Sequence, residues 1–367
     1  MLPVVRRRQF GLGAWIAALP VVLGVAVWGA WPWIEAGRLL FALMDQSAAL
    51  STAQPVVYAG GQRHGDLYPA AGSSSAGMVV VPGAAELGKD DPRLVRLAGT
   101  LARFGFTVLV PDIASQKALR VGPDNVVDVA EAIDWLASGH EPVGAAAISY
   151  AVGPAVLAAL QVGERLGFLV GVGGYYDLDA VIGFFTTGWY FEDGRWEKRV
   201  PNAYGKWVFV KSNAARLWDS GDRTLLELMA ERRMADRQAP IDQLAQRLTS
   251  TGRSIYDLLA NDDPVRVPEL IDRLPADVRD DIRALDLKGR DLSGLKARVL
   301  LIHGRDDAII PSGESVKLAA AVPLARLFLV DDLAHADWTP KRVSGLFELL
   351  AAARALLGER DRRGRSR

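Results

Sequence analysis

Six short apolar runs, separated by longer segments with helical periodicity, limit the fold of this chain more than any other feature. Strands that alternate with helices in this way form a mostly parallel sheet with helices on both faces. Such strands are continuously apolar because both of their faces are buried. The six predicted strands are Met78–Val81, Thr107–Val110, Ala145–Ile148, Phe168–Val172, Val299–Ile302 and Leu327–Val330.

An antiparallel hairpin is expected ahead of these strands, at Pro55–Ala59 and Gly65–Tyr68. Helices are expected between and after the strands, at Asp91–Phe104, Asn125–Ser138, Ala151–Arg165, Ser312–Ala321 and Arg342–Leu357.

The alternation stops between residues 175 and 294, where the sequence is mostly helical in pattern and has few candidate strands. We therefore expect residues 35–174 and 295–358 to form one core, with residues 175–294 inserted into it as a helical unit. Residues 359–367, a segment rich in arginine, are expected to be a disordered basic tail.

The composition restricts the chemistry available to this chain. Its 367 residues include no cysteine, which excludes thiol catalysis, disulfides and cysteine-ligated metals. Basic and acidic side chains number 43 each, so no global basic field would attract nucleic acid. No motif implies a metal or a cofactor.

The amino terminus has the pattern of a membrane or export segment. Three consecutive arginines, Arg6 to Arg8, precede a run from Gln9 to Ile34 that contains no charged residue. As a helix this run would be about 39 Å long, which is enough to cross a hydrocarbon core of roughly 30 Å with some tilt. Tryptophans favour the headgroup layer, and three lie towards the far end of the run: Trp28, Trp31 and Trp33.

The arginines before the helix predict a cytoplasmic amino terminus and the bulk of the chain on the other side of the membrane. Residues 1–34 are thus expected to be a short cytoplasmic stub and a single transmembrane anchor. Two alternatives remain open. Cleavage after a small residue such as Ala30 would release an exported protein, and the segment from Arg7 to Leu12 is similar to a twin-arginine export signal.

One of the six strands ends at Ser149, and a helical pattern begins immediately after it. The residues around this serine are mostly small, and the segment reads Gly-Ala-Ala-Ala-Ile-Ser-Tyr-Ala-Val-Gly from Gly144 to Gly153. A sharp strand-to-helix turn exposes a serine hydroxyl above the sheet, close to the helix N-terminus. A serine at this place could equally be a turn or N-cap residue, so its assignment as a nucleophile depends on its partners.

Two later strand ends provide such partners. The strand from Val299 to Ile302 is followed by His-Gly-Arg-Asp-Asp, in which the last residue is Asp307, and then by Ala-Ile-Ile-Pro. A carboxylate at this position can orient an imidazole and stabilise its protonated form. His335 lies in the loop after the next strand. His303 belongs to the strand-end motif and is expected to be structural.

These three segments resemble the α/β-hydrolase superfamily. The Gly-x-Ser-x-Gly turn of the family corresponds to Ala147–Ala151, with alanine at both glycine positions. Its His-Gly-x-x-Asp-x-x-x-Pro segment selects Asp307 rather than Asp306, and its order of nucleophile, acid and base is met by Ser149, Asp307 and His335. The resemblance covers roughly residues 55–175 and 295–355. It implies an α/β-hydrolase fold, with a mostly parallel central sheet, a helical cap insertion and this catalytic triad.

The resemblance also implies an oxyanion hole built from two backbone N–H groups. One should belong to Tyr150, directly after the nucleophile. The other should belong to Ala84, in the loop Pro82-Gly83-Ala84-Ala85, with Ala85 as the alternative. The family usually has His-Gly where this loop has Pro-Gly, but a backbone donor does not depend on the side chain.

In this superfamily an insertion after the sixth strand commonly forms a cap over the active site. Its aromatic side chains could line an apolar acyl pocket, pack into a small core of their own, or rest on the membrane surface. Four tryptophans fall in the first part of the insertion: Trp189, Trp196, Trp207 and Trp218.

The expected function is hydrolysis of a carboxylic ester or thioester of a small, apolar acyl compound. No cofactor, metal or nucleic-acid partner is implied, and the oligomeric state is left open. Acyl transfer and peptide cleavage remain alternatives, because chemistry is decided in the site and not by the fold. A membrane-tethered binding protein without activity is a further alternative, which the two alanines of the turn would favour.

Overall fold

The computed structural model describes residues 29–45, 52–72, 76–192, 194–331, 333, 335 and 343–362. Its strands are β1 (Gln54–Tyr58), β2 (Arg63–Tyr68), β3 (Ala76–Val81), β4 (Phe106–Pro111), β5 (Val143–Ile148), β6 (Phe168–Val172), β7 (Trp189–Glu192), β8 (Arg195–Lys198), β9 (Arg298–Gly304) and β10 (Ala325–Val330). Eight of them form one sheet in the order β1-β2-β4-β3-β5-β6-β9-β10, and β7 and β8 form a separate hairpin.

The helices begin with α1 (residues 29–44). They continue with α2 (Pro92–Arg103), α3 (Ala114–Lys117), α4 (Asp124–Ala137), α5 (Val152–Val162), α6 (Leu178–Thr187), α7 (Ala203–Ala214), α8 (Ser220–Ala235), α9 (Asp242–Ala245), α10 (Ser250–Ala260), α11 (Val267–Asp272), α12 (Ala276–Leu285), α13 (Gly313–Ala321) and α14 (Val343–Arg360).

The central sheet is mostly parallel. β2 runs antiparallel to both of its neighbours, whereas β3, β4, β5, β6, β9 and β10 are mutually parallel. Every residue of β3 and β4 is buried, as a strand covered on both faces requires. The predicted fold class, a mostly parallel sheet flanked by helices, is therefore confirmed.

Two apolar layers cover the sheet. On one face α4, α5 and α13 contribute buried side chains such as Val129, Val156 and Leu318. On the other face α1, α2 and α14 pack together, with Leu39 and Leu101 among the fully buried side chains. α1 contains the last six residues of the predicted anchor, which are exposed, and from Ala36 onward its buried side chains belong to the core.

Most of the predicted anchor, Gln9–Ile34, lies outside the described residues. Within the part of the chain that the structure describes, no helix is both long and apolar enough to span a membrane.

α14 extends two residues into the segment predicted to be a disordered tail. The reason is that both residues have partners in the core. Glu359 is buried and accepts a hydrogen bond of 2.6 Å from Arg298, and Arg360 forms an ion pair of 2.7 Å with Glu35 of α1. The domain boundary predicted at residue 358 is corrected accordingly, and residues 363–367 lie outside the described part.

Residues 175–294 connect β6 to β9 and contain α6 to α12 and the β7–β8 hairpin. The sequence did not indicate this hairpin, because each of its strands has only four residues and carries charged side chains. We call residues 175–294 the cap. Its buried side chains, such as Leu226 and Ile255, are continuous with the core layer that contains α5.

Candidate active site

The carboxyl ends of the parallel strands meet at one edge of the sheet, which places the predicted site residues together. Ser149 directly follows β5, Asp307 follows β9, and His335 follows β10. The loop with Ala84 follows β3, the neighbour of β5.

Ser149 occupies a strained strand-to-helix turn. Its φ angle is +59°, a left-handed conformation that costs a residue other than glycine about 1–3 kcal/mol and persists only where the surrounding structure holds it. Packing is close here, since a Cβ atom added to Gly153 would lie 2.0 Å from the Tyr175 hydroxyl oxygen. Ala147 and Ala151, which stand where glycines were expected, are fully buried and fit the turn.

The turn follows β5, in a sheet in which only β2 runs against the direction of the other strands. This combination decides the fold. The chain has the α/β-hydrolase fold. Within this fold, a nucleophile at the turn needs a base and an acid at the ends of later strands.

A continuous hydrogen-bond chain joins the three predicted triad residues. His335 Nε2 lies 2.7 Å from Ser149 Oγ, and His335 Nδ1 lies 2.5 Å from Asp307 Oδ2. An ionised carboxylate can only accept, so Nδ1 carries the proton and Nε2 can accept one from the serine. The arrangement can deprotonate Ser149 as its oxygen attacks a substrate.

The Asp307 carboxylate is fully buried but well supplied with donors. Its Oδ1 accepts hydrogen bonds from the N–H groups of Ile309 and Ile310, at 2.7 and 3.1 Å. Burial opposes ionisation, but hydrogen bonds from His303 and His335 outweigh it and hold the pKa of Asp307 well below its usual range. A negative charge therefore faces His335 across the whole physiological pH range.

His303 braces the turn that carries Asp307. Its Nε2 lies 2.9 Å from the Ile310 carbonyl oxygen and 3.4 Å from Asp307 Oδ2, so Nε2 must carry the proton. Its Nδ1 then accepts from the Ser315 hydroxyl at 2.7 Å. These contacts agree with the structural role expected for His303.

Gly173 lies against the side chains of His335 and Asp307. Its place in the site was not predicted from the sequence. Its φ angle is +61°, and an added Cβ would lie 3.2 Å from His335 Nδ1 and 3.4 Å from Asp307 Oδ2. The available signal was the pair of glycines, Gly173 and Gly174, directly after the apolar strand β6.

Both residues predicted to form the oxyanion hole lie beside Ser149. Tyr150 and Ala84 line the same cavity as the serine, whereas Ala85 lines a separate surface depression with Glu86. The Tyr150 hydroxyl is held 3.1 Å from Asn125 Oδ1. Their roles as N–H donors stay predictions.

One short segment of the cap touches the loop after β3, which contains Ala84, and the loop after β9, which contains Asp307. The Tyr204 hydroxyl donates to the Ala84 carbonyl oxygen at 2.9 Å, and Arg199 Nη1 donates to the Asp307 carbonyl oxygen at 2.9 Å. The N–H of Asn202 donates to the Ala308 carbonyl oxygen at 2.6 Å. We call residues 199–204 the bridge segment. Nothing in the sequence marked it.

A cavity of about 140 Å³ opens at Ser149 between the core and the cap. Apolar side chains from α6, α7 and α12 form most of its wall: Leu178, Val181, Ile182, Phe185, Val208, Phe209, Ile282 and Leu285. Asp281 also lines the cavity and is paired with Arg216, which donates to the Val121 carbonyl oxygen at 3.2 Å. Cap aromatics thus line the cavity, although the four tryptophans do not take part.

Among the described residues, no cluster of three or more histidine, aspartate or glutamate side chains is arranged to hold a metal ion.

The solved structures named below resemble this chain at 14–17% sequence identity. No family model and no curated protein matches the sequence. Among solved structures, an α/β-hydrolase superfamily protein from Enterococcus faecalis is 17% identical, with a TM-score of 0.48 over 84% of this chain and 99% of the other. The carboxylesterase EstE1 from a metagenomic library is 14% identical, with a TM-score of 0.46 over 89% and 96%. The meta-cleavage product hydrolase CumD of Pseudomonas fluorescens, in a mutant form complexed with acetates, is 17% identical, with a TM-score of 0.45 over 83% and 98%.

Proposed function

We propose that this protein is a serine hydrolase that cleaves a carboxylic ester or thioester through an acyl-enzyme intermediate. The observation that carries this proposal is the hydrogen-bond chain from Asp307 through His335 to Ser149. The positive φ of Ser149 supports the proposal, because a strained turn of this kind presents the hydroxyl to the cavity.

In the first half-reaction Ser149 Oγ attacks the substrate carbonyl carbon while His335 Nε2 takes its proton. The tetrahedral oxyanion would be held by the backbone N–H groups of Tyr150 and Ala84. His335 then protonates the leaving alcohol or thiol. In the second half-reaction water attacks the acyl-serine, and the same imidazole accepts a proton from water and returns it to Ser149. Asp307 orients the imidazole throughout.

The size and lining of the cavity favour a substrate with a small, apolar acyl group. An apolar protein cavity of about 150 Å³ can hold a benzene molecule, so 140 Å³ suits an acyl chain or ring of about six carbon atoms. Among the described residues that line the cavity none is basic, and the one charged side chain is the Asp281 carboxylate, which is paired with Arg216. A carboxylate at the end of the acyl group would therefore be disfavoured.

We also propose that residues 1–34 tether the protein to a membrane, with the amino terminus in the cytoplasm and the hydrolase on the other side. The arginines at positions 6 to 8 and the uncharged run from Gln9 to Ile34 support this topology. Export after cleavage near Ala30 is the alternative.

Labelling by a fluorophosphonate tests the hydrolase proposal without knowledge of the substrate. The full-length protein in membranes should be labelled, and Ser149→Ala and His335→Ala should not. His64→Ala is the matched control, since this histidine is exposed and distant in the fold, and it should be labelled like the wild type. A folded wild-type protein that resists the probe would overturn the proposal and favour a binding protein on the same scaffold.

A further inference from the structure

α1 begins at the edge of the sheet opposite to the catalytic residues. Its Glu35 pairs with Arg360, at the end of α14, at a distance of 2.7 Å. Arg360 also donates, at 2.8 Å, to the carbonyl oxygen of Phe104, two residues before β4 begins. Glu35 therefore lies at the amino edge of the parallel strands, while Ser149 lies at their carboxyl edge.

Residues 29–34 form the first turns of α1 at this amino edge, beside the last turns of α14, where Arg354 lies against Trp33. All six are exposed, whereas Ala36, Leu39 and Leu40 in the following turns are buried. The exposed residues are Gly-Ala-Trp-Pro-Trp-Ile, with Trp31 52% and Ile34 49% exposed. A contiguous apolar end of this kind on an otherwise packed helix is typical of a contact surface.

The chemistry of this end fits the headgroup layer of a lipid bilayer. Tryptophan favours that layer because its ring is amphipathic, and cationic side chains nearby can meet lipid phosphates. Arg354 of α14 lies over the Trp33 ring, 4.5 Å from its centroid, and Arg38 is exposed one turn further along α1. The chain that precedes residue 29 supplies the uncharged run from Gln9 onward, which would enter the lipid.

The catalytic edge lies far from this end. β4 has six residues and spans about 20 Å. The triad thus lies roughly 20 Å along the strand direction from the amino edge at which α1 begins, and the cap lies on the side of the carboxyl edge.

We infer that a lipid bilayer contacts the protein at residues 29–34 and that the active site faces away from it. The inference rests on the proposed hydrolase and tether, and it adds the side of the protein from which the substrate approaches. Substrates reach Ser149 from the aqueous phase, and lipids of the same membrane are not substrates. The exposed cap aromatics, such as Trp218 at 93%, face water.

The absence of cysteine from the sequence makes a direct test simple. Ala30→Cys and Trp218→Cys each introduce one exposed thiol, which is coupled to an environment-sensitive dye. Both full-length variants are reconstituted in vesicles of phosphatidylcholine and phosphatidylglycerol, with or without a lipid that carries a spin-label quencher on its headgroup. We expect quenching of the dye at position 30 and none at position 218.

Quenching at position 218, alone or together with position 30, would overturn the inference, since the cap would then rest on the bilayer. Failure of both variants to sediment with vesicles would also overturn it. Fluorophosphonate labelling of the same samples reports on the hydrolase independently. A water-soluble probe should label vesicle-bound and detergent-solubilised protein at rates within about twofold, whereas a site against the membrane would be protected when vesicle-bound.

Discussion

The left-handed backbone of Ser149 and the buried carboxylate of Asp307 are each unfavourable alone, and neighbouring residues hold both in place. Two backbone N–H groups and two imidazoles surround the carboxylate. Gly173 leaves the space in which His335 and Asp307 meet. Each of these side chains keeps its position through contacts with the others. Changes of a few atoms should therefore have large effects on the reaction rate.

Replacing Asp307 by asparagine should lower kcat by about 10⁴-fold, because the amide would favour the wrong imidazole tautomer. Ester hydrolysis at saturating substrate measures the effect, with circular dichroism to show that the variant folds. Asp306→Asn is a closely matched control, since this neighbour is exposed and should keep wild-type activity. Loss of activity in Asp306→Asn, with Asp307→Asn unaffected, would show that the acid was assigned wrongly.

Gly173→Ala should damage catalysis more than stability. Gly163 offers a matched control, because its φ of +60° is almost the same as that of Gly173 but its added Cβ would meet no atom within 4 Å. Both alanine variants should lose about 1–3 kcal/mol of unfolding free energy, because each places a side chain at positive φ. Only Gly173→Ala should also lower kcat/KM, by about tenfold to a hundredfold, since its methyl group displaces His335. Equal kcat/KM in the two variants would contradict this account.

At the scale of elements, the bridge segment couples the cap to the two loops on which the proposed chemistry depends. Arg199 holds the Asp307 turn and Tyr204 holds the loop of Ala84, through backbone carbonyl groups in both cases. The cap therefore completes the site as well as covering it. Tyr204 is a positioning residue on this view, because it acts through Ala84 and contacts no reacting atom.

Tyr204→Phe should lower kcat by about fivefold, the equivalent of one hydrogen bond of about 1 kcal/mol, with KM nearly unchanged. A residue that only supported the cap would instead change the melting temperature or KM. Tyr256→Phe, in α10 of the same cap, is the control and should change neither constant. An unchanged kcat for Tyr204→Phe would refute the positioning role.

Asp286, directly after α12, contacts the first residue of α6 and should make the stability of the protein depend on pH. Burial raises the pKa of Asp286 to about 6, despite a hydrogen bond from the N–H of Leu178, and the carboxylates of Asp177 and Asp179 add to the effect. The cation nearby, Lys288, is paired with Asp177 at 2.7 Å. The folded protein therefore binds more protons than the unfolded chain between about pH 4 and pH 6, and its stability falls as the pH rises through that window.

Asp286→Asn should consequently stabilise the protein by about 1 kcal/mol at pH 8 and leave it unchanged near pH 4. The value is less than the full pKa shift implies, because the side chain is partly exposed. The asparagine oxygen can still accept from the N–H of Leu178. Thermal unfolding at the two pH values measures the difference, and an equal effect at both would exclude charge as the cause.

At the scale of the whole molecule, the parts predicted from sequence are those that local patterns encode. Apolar runs such as Val299–Ile302 and the chain order of Ser149, Asp307 and His335 indicated the sheet and the triad. Other features depend on contacts between distant residues, such as the 120 positions that separate Tyr204 from Ala84. No local pattern reports such a contact, so the bridge segment could not be predicted.

The packing of α1 was missed for the same reason. The apolar run of the amino terminus indicated a membrane segment, but the burial of Leu39 against α2 and α14 became evident only in the folded chain. The boundary between anchor and core was expected at residues 34 and 35, and the buried residues of α1 begin at Ala36. Residues up to about 34 belong to the proposed tether, and those from Glu35 onward belong to the core.

Two truncations should separate these parts. Removal of residues 1–28 should leave a folded protein that no longer sediments with vesicles and is labelled by fluorophosphonate at the wild-type rate, because α1 keeps its place on the sheet. Removal of residues 1–45 should cost at least about 3 kcal/mol, since Leu39 and Leu40 leave a cavity in the core and Arg360 loses Glu35. Urea unfolding of the two proteins gives the comparison. Equal stability would mean that α1 only rests on the surface, and the bilayer contact could then no longer be tied to the orientation of the active site.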